Sequence, residues 1–201
     1  MIRAVVPLAV ARQWGEVVVT EERGRQAMVR DDNGFVSYLT ETGGPAAEGG
    51  AETALLTFLS VADLDQTVAF YNNVFGMGIE APAEAAPTPE RITALTGNPA
   101  LATFRLAQGT FPGTDVTVYF QEFTGAEKTP VHHRVQDPGG PIFTMGVEDF
   151  AGTMELVKAN GGMIGDGETS AMLEPDATVS WIRDPNGLLI RVSQAQPAAG
   201  N

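Results

Sequence analysis

Along residues 54–80, apolar and polar positions follow two rhythms in turn. LLTFLSV is a short β-like run. LDQTVAFYNNVF then repeats apolar residues at helical spacing, with Leu64, Val68, Tyr71 and Phe75 on one face. Asp63 stands just before the helix as an N-cap, since its carboxylate can accept from amides that a first helical turn leaves open. Gly76 is placed to end the helix. Residues 141–162 repeat the rhythm: IFTMGV is the strand, Asp149 the cap, Phe150, Met154 and Val157 the buried stripe, and Gly161-Gly162 the stop. Asp63 and Asp149 are therefore equivalent positions in two repeated units.

Further strands follow each helix. In the first unit they are ATFRLAQG (102–109) and DVTVYFQEF (115–123), with a weaker strand before them. In the second they are a weak strand near GETSAML, then TVSWIRD and LLIRVSQ across the turn Asp184-Pro185-Asn186-Gly187. Each unit reads β-α-β-β-β. The N-terminal part reads as three strands, WGEVVVTEE, GRQAMVRD and FVSYLTE, with no helix before them. It looks like the back half of such a unit: VRDDNGFVSYL at 29–39 nearly copies WIRDPNGLLIRVSQ at 181–194 and places Tyr38 where the later copy has Arg191. The predicted organisation is a β-rich partial module at 1–42, a Gly-rich linker at 43–52, a module at 53–124, a linker at 125–140, a second module at 141–195 and a tail at 196–201.

Composition narrows the functions. Of the 201 residues 43% are hydrophobic and 18% charged, which fits a packed core rather than a disordered chain. A net charge of −13 repels a phosphate backbone, so nucleic acid is not an expected partner. With no cysteine there are no disulfides, thiolate nucleophiles or Cys-based zinc sites. The opening MIRAVVPLAVARQWGEV is too short an apolar run for a membrane span and has no convincing cleavage site, so the expectation is a soluble cytoplasmic protein with no membrane partner. His132 and His133 are the two histidines; adjacent on an extended linker, they point to opposite sides. Their plainest reading is exposed linker, with His133 kept as a candidate at a cavity mouth. No nucleophile elbow, P-loop or dinucleotide fingerprint is present.

The segments FLSVADLDQTVAFYNNVFGM, TMGVEDFAGTMELVKANGG and WIRDPNGLLIRVSQ, in that order, resemble the vicinal oxygen chelate superfamily, the glyoxalase, bleomycin-resistance and extradiol-dioxygenase group. The resemblance covers about residues 54–194. It implies an α+β fold of paired βαβββ modules whose curved mixed sheets line one cavity, with the N-terminal half-module as an addition. It also implies four strand positions at which the enzymes of the group hold a divalent metal through His and Glu. In this chain they read Leu56, Tyr119, Ile142 and Arg191. Leu and Ile cannot ligate, and Arg is a permanent cation with no acceptor. The expectation is therefore no metal and no cofactor, a departure from the enzymatic pattern.

With those positions facing inward, strand alternation adds Phe58, Ser60, Thr117, Gln121, Thr144 and Leu189 to the lining. Arg105 is a rim candidate, and Trp181 could stack on a ligand or equally pack behind the last hairpin. Apolar and aromatic walls with hydroxyl and amide handles suit a small organic ligand. A buried Arg191 would need an anionic partner, either a ligand acid or a protein carboxylate; it could also point its end to solvent.

The expected function is a metal-independent small-molecule-binding protein of the bleomycin-resistance type. One alternative is a metal-free isomerase, lyase or cyclase with Tyr119 or a linker histidine as acid/base. Another is a lyase- or dioxygenase-like member of the same superfamily. A third is a degenerate module with an assembly role, as a homodimer through the N-terminal strands or sheet edges.

Overall fold

In a computed structural model of the protein, residues 12–21, 24–32, 36–40, 57–165 and 178–194 are described. The elements in order are β1 (Arg12–Thr20), β2 (Gly24–Arg30), β3 (Val36–Thr40), β4 (Thr57–Val61), α1 (Leu64–Phe75), β5 (Ala86–Pro87), α2 (Glu90–Thr96), β6 (Thr103–Thr110), β7 (Thr117–Phe123), β8 (Ile142–Val147), α3 (Phe150–Ala159), β9 (Met163–Ile164), β10 (Val179–Arg183) and β11 (Leu189–Gln194). Three sheets result, with strand orders β1-β2-β3, β4-β7-β6-β5 and β8-β11-β10-β9. The last two share one topology. The strand before the helix pairs in parallel with the last strand of its own module, β4 with β7 and β8 with β11. This is the expected α+β fold of repeated βαβββ modules, and neither sheet closes on itself.

The chain forms two compact units interleaved in sequence. One comprises residues 1–56, 85–104 and 123–127; the other comprises 57–84, 105–122 and 128–201. In the first, β1–β3 form an antiparallel meander, and α2 packs against β1 and β2. The three N-terminal strands were expected, but α2 was not. Its ends are nonetheless marked in the sequence, by Pro89 at the start and by Gly97 with φ +62° at the end. Gly15, at a bulge in β1 with φ +77°, has no side chain, and this lets the strand approach the carbonyls of Ala94 and Leu95.

The second unit holds the second module, the rest of the first, and one contiguous core. Leu64, Phe70, Tyr71, Val118 and Phe120 of the first module share this core with Val157, Ile182, Ile190 and Val192 of the second. The Tyr71 ring lies 4.7 Å from Phe120 and edge-on to Phe70 at 5.3 Å. Burying each such side chain contributes roughly 1.5–3 kcal/mol.

The two helices start alike. Asp63 accepts from the Gln66 amide and Asp149 from the Gly152 amide, each at 2.9 Å. The hydroxyls of Thr67 and Thr153 donate back to the carbonyls of the two caps at 2.6 Å. The buried stripe of α1 is Leu64, Thr67, Phe70, Tyr71 and Val74, so Val68 and Phe75 lie at its edge rather than its centre. In α3, Val157 is fully buried, while Phe150 and Met154 are partly buried.

The Asp184–Gly187 turn joins the modules. Asn186 accepts from the Ala62 amide at 2.9 Å and donates to the Thr67 hydroxyl at 3.0 Å. Asp184, 3% exposed, accepts from the amides of Asn186 and Leu188 and from the Tyr71 hydroxyl at 3.2 Å. Gly187 has φ +88°, and a Cβ there would collide with the Val131 carbonyl. The weak strand expected near GETSAML lies outside the described residues; the short strand found is β9. Among the described residues, no helix is long and apolar enough to cross a membrane.

Candidate functional site

In each sheet of the second unit, one face meets the helices and the shared core, and the other does not. Alternation decides which side chains go where. On β4, Leu59 and Val61 join the core while Phe58 and Ser60 are exposed. On β7, Val118 and Phe120 are fully buried and Thr117, Tyr119 and Gln121 stand on the opposite face. On β8, Phe143, Met145 and Val147 pack on the core, leaving Ile142 and Thr144 on the other side. On β10 and β11, Ile182, Ile190 and Val192 are fully buried, so Trp181 and Arg191 belong to the open face. Leu189 shares their parity and is itself buried.

The open face of the first module carries an aromatic pair. Phe58 and Tyr119 are register partners, stacked with centroids 4.8 Å apart and planes 19° from parallel. Phe58 is 40% exposed. One step along, Gln121 donates to the Ser60 hydroxyl at 3.2 Å. Leu106 of β6, 41% exposed, lies on the face opposite buried Ala107. It was not among the expected residues, although alternation in TFRLAQGT marks it. On the second module, Arg191 sits in register between Trp181 and Thr144, with all three side chains on the open face. Arg191 is half-buried.

Arg105 is a correction. It was expected at the rim of the ligand face, but it points to the helix side and is tied to two carboxylates. Its Nε donates to Glu122 at 2.8 Å, and its terminal nitrogens reach Asp65 of α1 at 3.0 Å. The hydrogen bond to Glu122, then that to Asp65 together with both negative charges, raises its pKa against the opposing effect of burial. Glu122, 16% exposed, also faces Lys128 at 3.8 Å. This ion cluster fastens the start of α1 to the sheet.

His133 is not an exposed linker residue. Its carbonyl accepts from Arg183 at 2.6 Å and its ring packs on Gly140, with both ring nitrogens buried and without a hydrogen-bond partner among the described residues. His132 is exposed. Leu56 lies outside the described residues. Among the described residues, no three His, Cys, Asp or Glu side chains come together as a metal site. Tyr119, Ile142 and Arg191, at the positions where the resemblance puts ligands, offer one phenol, one hydrocarbon and one cation. That donor set does not fit a divalent ion.

Residues 53–192 match the family model described as Glyoxalase/Bleomycin resistance protein/Dioxygenase superfamily. The chain belongs to this superfamily. Among solved structures, a glyoxalase family protein from Bacillus cereus is similar at 18% identity and a TM-score of 0.56, covering 74% of this chain and 97% of that one. A glyoxalase I mutant from Zea mays is similar at 15% identity and a TM-score of 0.52, covering 92% of this chain. The chain spans 60% of the length of that maize protein. At these identities the likeness speaks for the superfamily fold alone. A comparison with curated protein sequences found no match.

Proposed function

We propose that the protein is a metal-independent small-molecule-binding member of the superfamily, holding an organic ligand against the open faces of its two modules. One observation carries this reading. The faces turned away from the core present aromatic, hydroxyl and amide side chains, centred on the stacked Phe58–Tyr119 pair and on Arg191 beside Trp181. Such a surface can hold an organic molecule through stacking and a few polar contacts. The side chains at the superfamily's metal positions cannot form a metal cage.

The test is calorimetric titration of the full-length, EDTA-dialysed protein with a panel of metabolites and antibiotics. Saturable binding that EDTA does not alter, with the compound recovered unchanged, is the expected result. Metal-dependent turnover, or stoichiometric metal in the purified protein by elemental analysis, overturns the reading. Turnover that persists in EDTA and is lost in Tyr119→Phe would make the protein a metal-free enzyme instead.

The same reading places the protein in the cytoplasm, as a homodimer through the N-terminal strands or sheet edges. The outer edge of β3 is unpaired among the described residues, and a bare edge invites strand pairing. Light scattering after size exclusion tests this; a strict monomer rules it out.

A further inference from the structure

Resting on the binding reading above, we propose that the open face of the first module takes a flat heteroaromatic with a lactam or amide edge, its ring held by Phe58 and Tyr119 and its edge read by Gln108.

The register of β6 against β7 brings these residues together. At the end of their hairpin the Phe111 amide donates to the Val116 carbonyl at 3.1 Å, and the Thr110 and Thr117 hydroxyls meet at 3.2 Å. That pairing sets Gln108 opposite Tyr119 and Leu106 opposite Gln121. Ala107 and Gly109 are buried, so alternation puts Leu106 and Gln108 on the open face. Tyr119 thus has Phe58 stacked on it from β4 and Gln108 beside it on β6.

The polar groups of this face divide into those already engaged and those still open. Gln121 donates to Ser60, and Thr110 is joined to Thr117. Among the described residues, the Gln108 amide and the Tyr119 hydroxyl have no hydrogen-bond partner. Gln108 is exposed and Tyr119 half-buried, so both handles can be reached from outside. A glutamine amide carries an acceptor and a donor side by side. It makes two parallel bonds with a planar heterocycle that offers the reverse pair along one edge. An N–H next to a carbonyl, as in a lactam, is such an edge. A carboxylate lacks the donor and an ammonium lacks the acceptor, so each satisfies only half of the amide. Phe58 and Tyr119 offer ring surface, and Leu106 offers apolar surface, next to the same handles. Ring and edge of the ligand therefore have to be adjacent, as they are in a fused lactam.

The experiment titrates the full-length protein by calorimetry with two probes of one shape. 2-Quinolone carries the N–H and the carbonyl side by side. 1-Methyl-2-quinolone keeps the ring and the carbonyl and loses the donor. 2-Quinolone is expected to bind about tenfold more tightly, since the methylated probe leaves the glutamine carbonyl without a partner. In Gln108→Leu the two probes should bind alike. Phe58→Ala should weaken both by the same factor and keep their ratio.

The comparison of the two probes on the unaltered protein needs no variant to fold. Equal or tighter binding of the methylated probe overturns the inference and leaves the binding reading standing. So does a preference for 2-quinolone that survives Gln108→Leu, or a 2-quinolone affinity untouched by Phe58→Ala. Binding of neither probe overturns the inference as well, and a silent metabolite panel alongside it would remove the binding reading too.

Discussion

Asp184 is a carboxylate held nearly out of water, and its surroundings set the sign of its response to pH. Burial pushes its pKa up, and the amides of Leu188 and Asn186, the Asn186 side chain and the Tyr71 hydroxyl pull it back only in part. Tyr71 is raised in turn, first by its own burial and then by the Asp184 charge. Because the folded-state value of Asp184 lies above its ordinary 3.8, the stability it contributes is full below that pH. It is lost as pH rises through the folded value. Asp184→Asn should remove this downward drift, visible when urea-unfolding free energies of the two proteins are compared between about pH 3 and 7. Tyr71→Phe should cost about 1–2 kcal/mol and move the drift to higher pH, because the carboxylate loses one donor. Arg105→Met should destabilise by about 1–3 kcal/mol through the stranded Glu122, in the same urea assay, and leave ligand affinity unchanged. The helix caps could be read at this scale from Asp63 and Asp149 alone, since a cap is a local matter. The true side of Arg105 could not, because the partners that draw it to the helix face, Asp65 and Glu122, are 40 and 17 residues away in sequence.

At the scale of elements, α1 and α3 and the strands around them were legible because each is a periodic segment closed by its own cap and stop. The short α2 was not, since seven residues give too little periodicity to stand out from a Gly- and Pro-rich stretch. The open faces followed from alternation, which needs only one buried residue to fix the parity of a whole strand. The matched caps permit a comparison. Asp63→Ala and Asp149→Ala should each cost about 1 kcal/mol in chemical denaturation. The Asp63 variant should lose more where the cap also secures the neighbouring Ala62–Asn186 bond. A cost that is equal in the two variants, and simply additive in the double variant, would mean the caps act on their own helices alone.

For the whole molecule, the sequence divides linearly and the structure does not. The linear segments follow repeat boundaries, whereas the first compact unit gathers the N-terminal strands with α2, a segment from the middle of the first module. Nothing in the periodicity of either piece announces the other; what joins them is the close approach at Gly15, visible only in three dimensions. Gly15→Val should therefore speed hydrogen exchange in β1, β2 and α2 while leaving exchange in α1 and β11 unchanged. A uniform increase across both sets would mean that the two units unfold as one.

The bond between Asn186 and the Ala62 amide closes a loop of 124 residues. The first helix leaves the ribosome well before the hairpin that anchors its threshold, so that anchorage cannot form until the intervening residues have been made. Contacts of such long range slow folding, since the entropy of closing the loop must be lost before the contact gives anything back. The first module should therefore spend its time on the ribosome as a loosely held intermediate, and stopping translation before Asp184 should leave it far more open to protease than the finished protein.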